Sequence, residues 1–246
     1  MTTKLSLFIL YGWIIVFLLI LLSACSFSSG PTGTPTPDLP VKEIVQRSSQ
    51  AMLKAETLHF SIKLSGRLAY IDRPPTTALK SVVGDLLRPD SLRAIVKVST
   101  LGLVSEVGLI SIGKTSYVTN PINQRWQILP PEWGWYFDPR APFDEHRGIP
   151  AVIPHVPFRK LGMVEIDGQP YYHVEGMAQG KQITGWTAGL IVEGEVPVTM
   201  WIDPQTFLIR RVELVETATD PERPTTWVIE FTDYGQELEV EAPPVE

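Results

Sequence analysis

Apolar residues keep two different periods along this chain, and the switch between them marks out its body. In residues 41–56 (VKEIVQRSSQAMLKAE), Val41, Ile44, Val45, Met52 and Ala55 recur at helical spacing with polar residues between them. That spacing predicts one amphipathic helix. Asp38 stands where a cap would sit, and Pro40 suits a first turn. From Phe60 the period falls to two. Phe60, Ile62, Leu64, Leu68 and Tyr70 alternate with Ser61, Lys63, Ser65, Arg67 and Ala69, which predicts one long half-buried strand ended by Arg73-Pro74-Pro75. Further strands are expected over 79–87, 92–99, 101–112, 114–119 and 126–129, divided by short turn segments such as Arg88-Pro89-Asp90-Ser91. Links this short favour antiparallel neighbours.

The period is lost over 130–157 (PPEWGWYFDPRAPFDEHRGIPAVIPHVP), where prolines are dense and large apolar side chains are many. Loops of such length are usually functional or disordered, and a disordered one would not carry so many aromatics. An ordered, lid-like segment is expected, with one short helix within 144–153. Strands resume at 160–166 and 171–177 around an Asp167-Gly168 hairpin turn. Residues 178–194 are glycine-rich and fit neither period. A second hairpin is expected from 196–202 and 207–216 about Asp203-Pro204-Gln205-Thr206. Strands at 226–234 and 236–240 close the pattern.

One helix and about ten strands make an α+β fold built on one large antiparallel sheet. An alternating sheet is apolar on one face only, and one helix with a lid is little cover for so wide a face. Ten twisted strands also curl. A curled sheet incompletely filled by its helix leaves an elongated apolar cavity over its concave face, unless the lid folds tightly into that space.

The N-terminus changes the picture. Residues 5–22 (LSLFILYGWIIVFLLILL) are almost wholly apolar, with Lys4 the only charge before them. The run is long for a signal peptide and close to a membrane-spanning length; both readings place the body outside the cytoplasm. The run ends at Leu22-Ser23-Ala24-Cys25, and Cys25 is the only cysteine. This tetrapeptide resembles a bacterial lipobox. The resemblance implies that residues 1–24 are a signal peptide cut before Cys25, and that the Cys25 sulfur carries a diacylglyceryl group. Residues 26–40 (SFSSGPTGTPTPDLP) then read as a Pro/Ser/Thr-rich tether, with residues 41–246 as a single domain.

Charge and cysteine use exclude several functions. Loss of residues 1–24 removes Lys4 and no acid, so the body is more acidic than the −6 of the whole chain. No basic cluster is present for nucleic acid. With no cysteine beyond Cys25, the core alone must hold the fold, and about 200 residues suffice for that. His59, His146, His155 and His173 show no i, i+4 ligand spacing, so no metal and no cofactor is expected. Asp144-Glu145-His146 reads as the cap of a short helix. Ser111 lies in a strand between glycines one residue too far apart for a nucleophile elbow. Residues 185–194 lack the Lys-Ser/Thr ending of a P-loop. No enzymatic chemistry is expected.

The lipobox, the helix leading into Thr57-Leu58-His59-Phe60, Trp126 running to Phe137-Asp138-Pro139, and the C-terminal VTMWIDPQTFLIRRVELVE…WVIEFTDYG together resemble the LppX/LprA/LprF/LprG lipoproteins, relatives of the LolA/LolB-like carriers. The likeness spans most of 41–243 and rests on strand and turn residues. It implies a half-open β-barrel with helices across its concave face and a cavity for acyl chains of envelope lipids or lipoglycans. The segment 130–157 departs from it, being richer in Pro and Trp. On that basis the lipid-binding residues expected are Phe60, Ile62, Leu64, Leu68, Val96, Val98, Val107 and Leu109 on the strands, with Trp126, Trp133, Trp135, Phe137, Ile149, Val152 and Ile153 from the lid and its approach.

Two functions follow. One is a monomeric lipid carrier, lipid-anchored on the extracytoplasmic face of the cell membrane, with a membrane transporter as a candidate partner. The other is a non-enzymatic interaction or sensor lipoprotein whose cavity is collapsed and whose lid docks a partner protein.

Overall fold

The computed structural model describes residues 38–129 and 140–245. Cys25, Trp133, Trp135 and Phe137 lie outside the described residues. Helix α1 (Val41–Lys54) is followed by strands β1 (Thr57–Gly66), β2 (Ala69–Tyr70), β3 (Thr77–Leu87), β4 (Ser91–Thr100), β5 (Leu103–Ile112), β6 (Thr115–Thr119) and β7 (Trp126–Ile128). A 3-10 turn (Ala141–Phe143), helix α2 (Ile149–Val152) and a second 3-10 turn (Ile153–His155) lead to β8 (Phe158–Ile166), β9 (Gln169–Gln179), β10 (Glu195–Ile202), β11 (Ile209–Glu216) and β12 (Thr225–Thr232). The four residues of α2 are all that forms of the helix expected within 144–153.

Twelve strands make one antiparallel sheet in the order β7-β6-β5-β4-β3-β1-β12-β11-β10-β9-β8, with β2 added to β3. Its ends, β7 and β8, do not pair with each other, so the sheet is open and the fold is α+β as expected. The chain lays down β3 to β7 outward on one side of β1 and returns from β8 to β12 on the other. The segment between β7 and β8 therefore joins the two free edges. Below, the end of the sheet holding Thr57 and Leu87 is called lower, and the end holding Thr100 and Leu103 upper.

Burial follows the alternation. Strand β12 reads buried and half-buried in strict turn, as amphipathic strands with one covered face must. The inner face holds one continuous core. Ile44, Val45 and Met52 of α1 enter it, with Phe60, Ile62, Val96, Val107, Trp227 and Phe231 of the strands. The expected hairpin at Asp167-Gly168 forms with φ of 52° and 77°, the left-handed pair that such a two-residue turn needs.

Three local expectations are corrected, and one segment that fitted neither period finds its place. The first strand does not run unbroken to Tyr70. It stops at Gly66, where φ is +83° and a Cβ would stand 1.9 Å from the Pro224 carbonyl oxygen; only glycine permits that turn and that approach. Asp38 does not cap α1; it pairs with Lys160 of β8, and Pro40 takes the cap position without a side-chain bond. Residues 236–240 form no strand. The Thr57 hydroxyl donates to the Gln236 carbonyl (2.8 Å), so the stretch crosses the end of β1 instead of pairing along it. Finally, the glycine-rich 178–194 segment is core. It extends β9, then folds into tight turns closed by Gly180 N–H donating to the Gly194 carbonyl (2.7 Å). Ile183, Trp186 and Ile191 are thereby buried.

Candidate functional site

The inner face of β1, β3, β4 and β5 is set by register. Ile62 pairs with Val82, Val82 with Val96 and Val96 with Val107, so these side chains share one side of the sheet. Phe60, Ile62, Val96, Val98, Val107 and Leu109 are all buried there, and Leu64 is half-buried against the same core. Ile149 and Ile153 are buried on the opposing segment, with Val152 half-buried beside them.

Two of the expected residues lie elsewhere. Leu68 falls between β1 and β2, beyond the turn at Gly66, and is 39 % exposed. Trp126 faces outward. It pairs with Thr119, across the sheet from Val118 and Leu109. Its ring covers Gly108, where a Cβ would come within 2.9 Å of the indole. The missing side chain at Gly108 makes the bed for the aromatic.

The lower half of the inner face is packed. Phe143 of the segment between β7 and β8 lies 4.7 Å from Phe60 between ring centroids and 6.2 Å from Phe231, tilted and edge-on. Both are favoured aromatic geometries. Arg88 holds this arrangement from the lower end. Its guanidinium donates to the carbonyls of Ala55 (3.1 Å), Phe143 (2.9 Å) and Met52 (3.4 Å), joining the open end of α1 to the segment. Burial draws the Arg88 pKa below its ordinary value, against the pull of Glu145 and Asp144. Ser49 of α1 adds a buried bond to the Pro150 carbonyl (2.6 Å). Gly185 packs so closely on the Arg147 carbonyl that a Cβ would stand 2.1 Å from it.

The upper half is different. There Val98 and Val107 floor an opening of about 280 Å³, rimmed by Thr77, Thr100, Ser105, Asp72 and Pro121. The Thr77 and Thr100 hydroxyls lie 3.3 Å apart across the rim. An apolar floor with a hydroxyl rim suits a chain that enters while its polar head remains outside. A wider groove of about 710 Å³ lies on the solvent side of α1, between Arg47, Gln50, Lys54 and the turn at Thr206–Leu208. Its lining mixes Arg47, Lys54 and Glu56 with Ala51, Phe207, Leu208 and Tyr234, and its place outside the helix separates it from the inner face.

Among the described residues no group of three or more His, Asp, Glu or Cys could hold a metal. His59 Nδ1 donates to the Asp85 carboxylate (2.7 Å) on the outer face, and His173 stacks on Trp201 at 5.1 Å. Asp144 accepts the His146 and Arg147 backbone N–H groups (2.9 Å each), as a cap does. Burial raises the Asp144 pKa, but these bonds outweigh it and hold the carboxyl below its ordinary range.

Asp85 also accepts from Arg93 Nε (2.8 Å). Burial pushes its pKa up, while His59 and Arg93 together bring it below the usual value. A carboxyl whose pKa is depressed by folding stabilises the protein above its unfolded pKa of about 3.9, and that contribution disappears as pH falls through the folded value. Asp85→Asn is therefore expected to lower the melting temperature at pH 7 and to match wild type in strong acid. A gap that persists at the lowest pH would show that the charge is not its source.

A model of the LppX_LprAFG lipoprotein family matches residues 41–240. The chain belongs to that family. Two solved structures share its fold. LprF from Mycobacterium bovis is 19 % identical with a TM-score of 0.65, over 82 % of this chain and 96 % of that one. The Mycobacterium tuberculosis lipoprotein LppX is 14 % identical with a TM-score of 0.57, over 81 % and 97 %. No curated protein sequence matches the chain significantly. Membership agrees with the lipoprotein character expected from the N-terminus. Against the expected inner surface of this family member, the main element that periodicity missed is the turn segment holding Ile183, Trp186 and Ile191. Its only signal was three large apolar residues among glycines.

Proposed function

We propose that this family member is an extracytoplasmic lipid carrier, anchored through a diacylglyceryl group on Cys25, that takes acyl chains into the opening on its upper inner face. It performs no catalysis. Each methylene moved from water into the apolar space contributes about 0.8 kcal/mol, and headgroups stay at the rim. The observation that carries this reading is the opening floored by Val98 and Val107 on the inner face that also holds Val96 and Leu109. Native mass spectrometry of the protein gently extracted from cells tests it: a co-purified lipid is expected, and a protein that is always empty would refute it.

A second reading, a lipoprotein that docks a partner protein, is favoured by the packed contact of Phe60, Phe143 and Phe231. Under that reading the cavity is collapsed and no lipid accompanies the chain.

The anchor has its own test. Cys25→Ala is expected to abolish incorporation of a labelled fatty-acid analogue; equal label in wild type and variant would dismiss the lipobox.

A further inference from the structure

The upper end of the sheet carries aliphatic side chains that neither packing nor turn chemistry explains. Three loops meet there: residues 71–76, the β4–β5 turn at 101–102, and residues 120–125. The Leu101 N–H donates to the Thr76 carbonyl (3.4 Å), and Asp72, Thr100 and Pro121 share the rim of the opening. At their tips Leu101 is 85 %, Leu103 77 %, Val104 61 % and Ile122 92 % exposed.

Leu101 is the most informative. It sits at φ 52° before Gly102 at φ 86°. This two-residue turn favours Asn or Asp before Gly, and the left-handed region disfavours leucine. Leucine here gains nothing from burial and is strained by its backbone. A residue that breaks a local rule without a folding gain points to function. Ile122 is equally deliberate. The Asn120 side chain accepts its N–H (2.9 Å), and Gln124 N–H donates to the Asn120 carbonyl (2.9 Å), so the loop holds it outward.

We propose that this three-loop tip docks on a lipid bilayer, with Leu101, Leu103 and Ile122 seated at the boundary between headgroups and acyl chains. Separate projecting points suit a soft interface better than the packed centre of a protein contact. At that depth water still reaches the loop backbones, as it must. Charge agrees. The loops carry Arg73 and Arg125 against one acid, Asp72, although the chain as a whole is at −6. Two arginines against one carboxylate leave the loops net positive, which favours anionic headgroups. Docking here would set the opening over Val98 and Val107 against the membrane. That route for a lipid rests on the carrier reading; the docking itself does not.

The test uses the full-length protein reconstituted in phosphatidylcholine–phosphatidylglycerol vesicles. Leu103 is replaced by a dansyl-bearing amino acid, and in a reference protein Asp167, at the lower end, is replaced instead. Spin-labelled lipids should quench the probe at 103, with a blue-shifted emission, and leave the probe at 167 unaffected. Equal quenching at both positions, or none at 103, overturns the proposal. So does protection at 103 that needs cell membranes and fails in pure vesicles, since that identifies a protein partner. Leu101→Asn should raise the melting temperature while reducing quenching at 103 several-fold; a fall in melting temperature would show that Leu101 serves the fold. Quenching without co-purified lipid would leave docking standing and remove the carrier. Co-purified lipid without quenching would do the reverse.

Discussion

Phe143→Ala should lower the melting temperature by on the order of 10 °C. Phe143 is 3 % exposed and touches Phe60 and Phe231, so its loss leaves a cavity that its neighbours cannot close. Phe→Ala in a core costs about 3–5 kcal/mol, and each kcal/mol shifts a domain of this size by roughly 2–4 °C. The backbone at this position is held independently, since Arg88 binds the Phe143 carbonyl. The effect therefore belongs to the ring, and Phe143→Leu should recover most of it. Thermal unfolding followed by circular dichroism measures both. A shift within error for Phe143→Ala would mean that the segment joining β7 to β8 is not part of the core.

Val107→Trp and Val98→Asp should remove lipid uptake and leave the fold in place. Both positions floor the 280 Å³ opening. An indole can occupy that space, and a carboxylate there can draw water through the rim. Val96→Asp is the contrast. Val96 lies on the same inner face and is fully buried, without a place on that rim. A charge there lacks water and a partner, which costs several kcal/mol. The expected pattern is uptake of a fluorescent fatty acid lost in all three, with a large melting loss in Val96→Asp alone. If Val107→Trp and Val98→Asp unfold as readily as Val96→Asp, the upper half is packed core and the carrier reading fails.

Much of this was legible in one dimension because it depends on near neighbours. A helical period over 41–56 and a period of two from Phe60 onward require an amphipathic helix and a one-sided sheet whatever the rest of the chain does. Parity within a strand is equally local, so Phe60 with Ile62, Val96 with Val98, and Val107 with Leu109 could each be assigned one side of their own strand before any fold was known; the register then brings all three pairs to the buried inner face. Asp167-Gly168 carried its own turn.

What remained depends on groups far apart in the chain. Trp126 faces outward because the register of β5, β6 and β7 places it over Gly108; its own short strand carries no indication of register. Leu68 left the inner face because the Pro224 carbonyl, 158 residues from Gly66, comes against that glycine. The glycine-rich 178–194 segment obeys no period, since its turns are closed and buried by contacts with residues such as Arg147. An ordered segment between β7 and β8 was expected from its aromatics, and residues 140–157 form its described part, but whether they fill the concave face or leave it open is a question of volume. Only tertiary structure decides that: Phe143 closes the lower half, while Val98 and Val107 keep an opening above, because side-chain volumes add up in space and not along the chain.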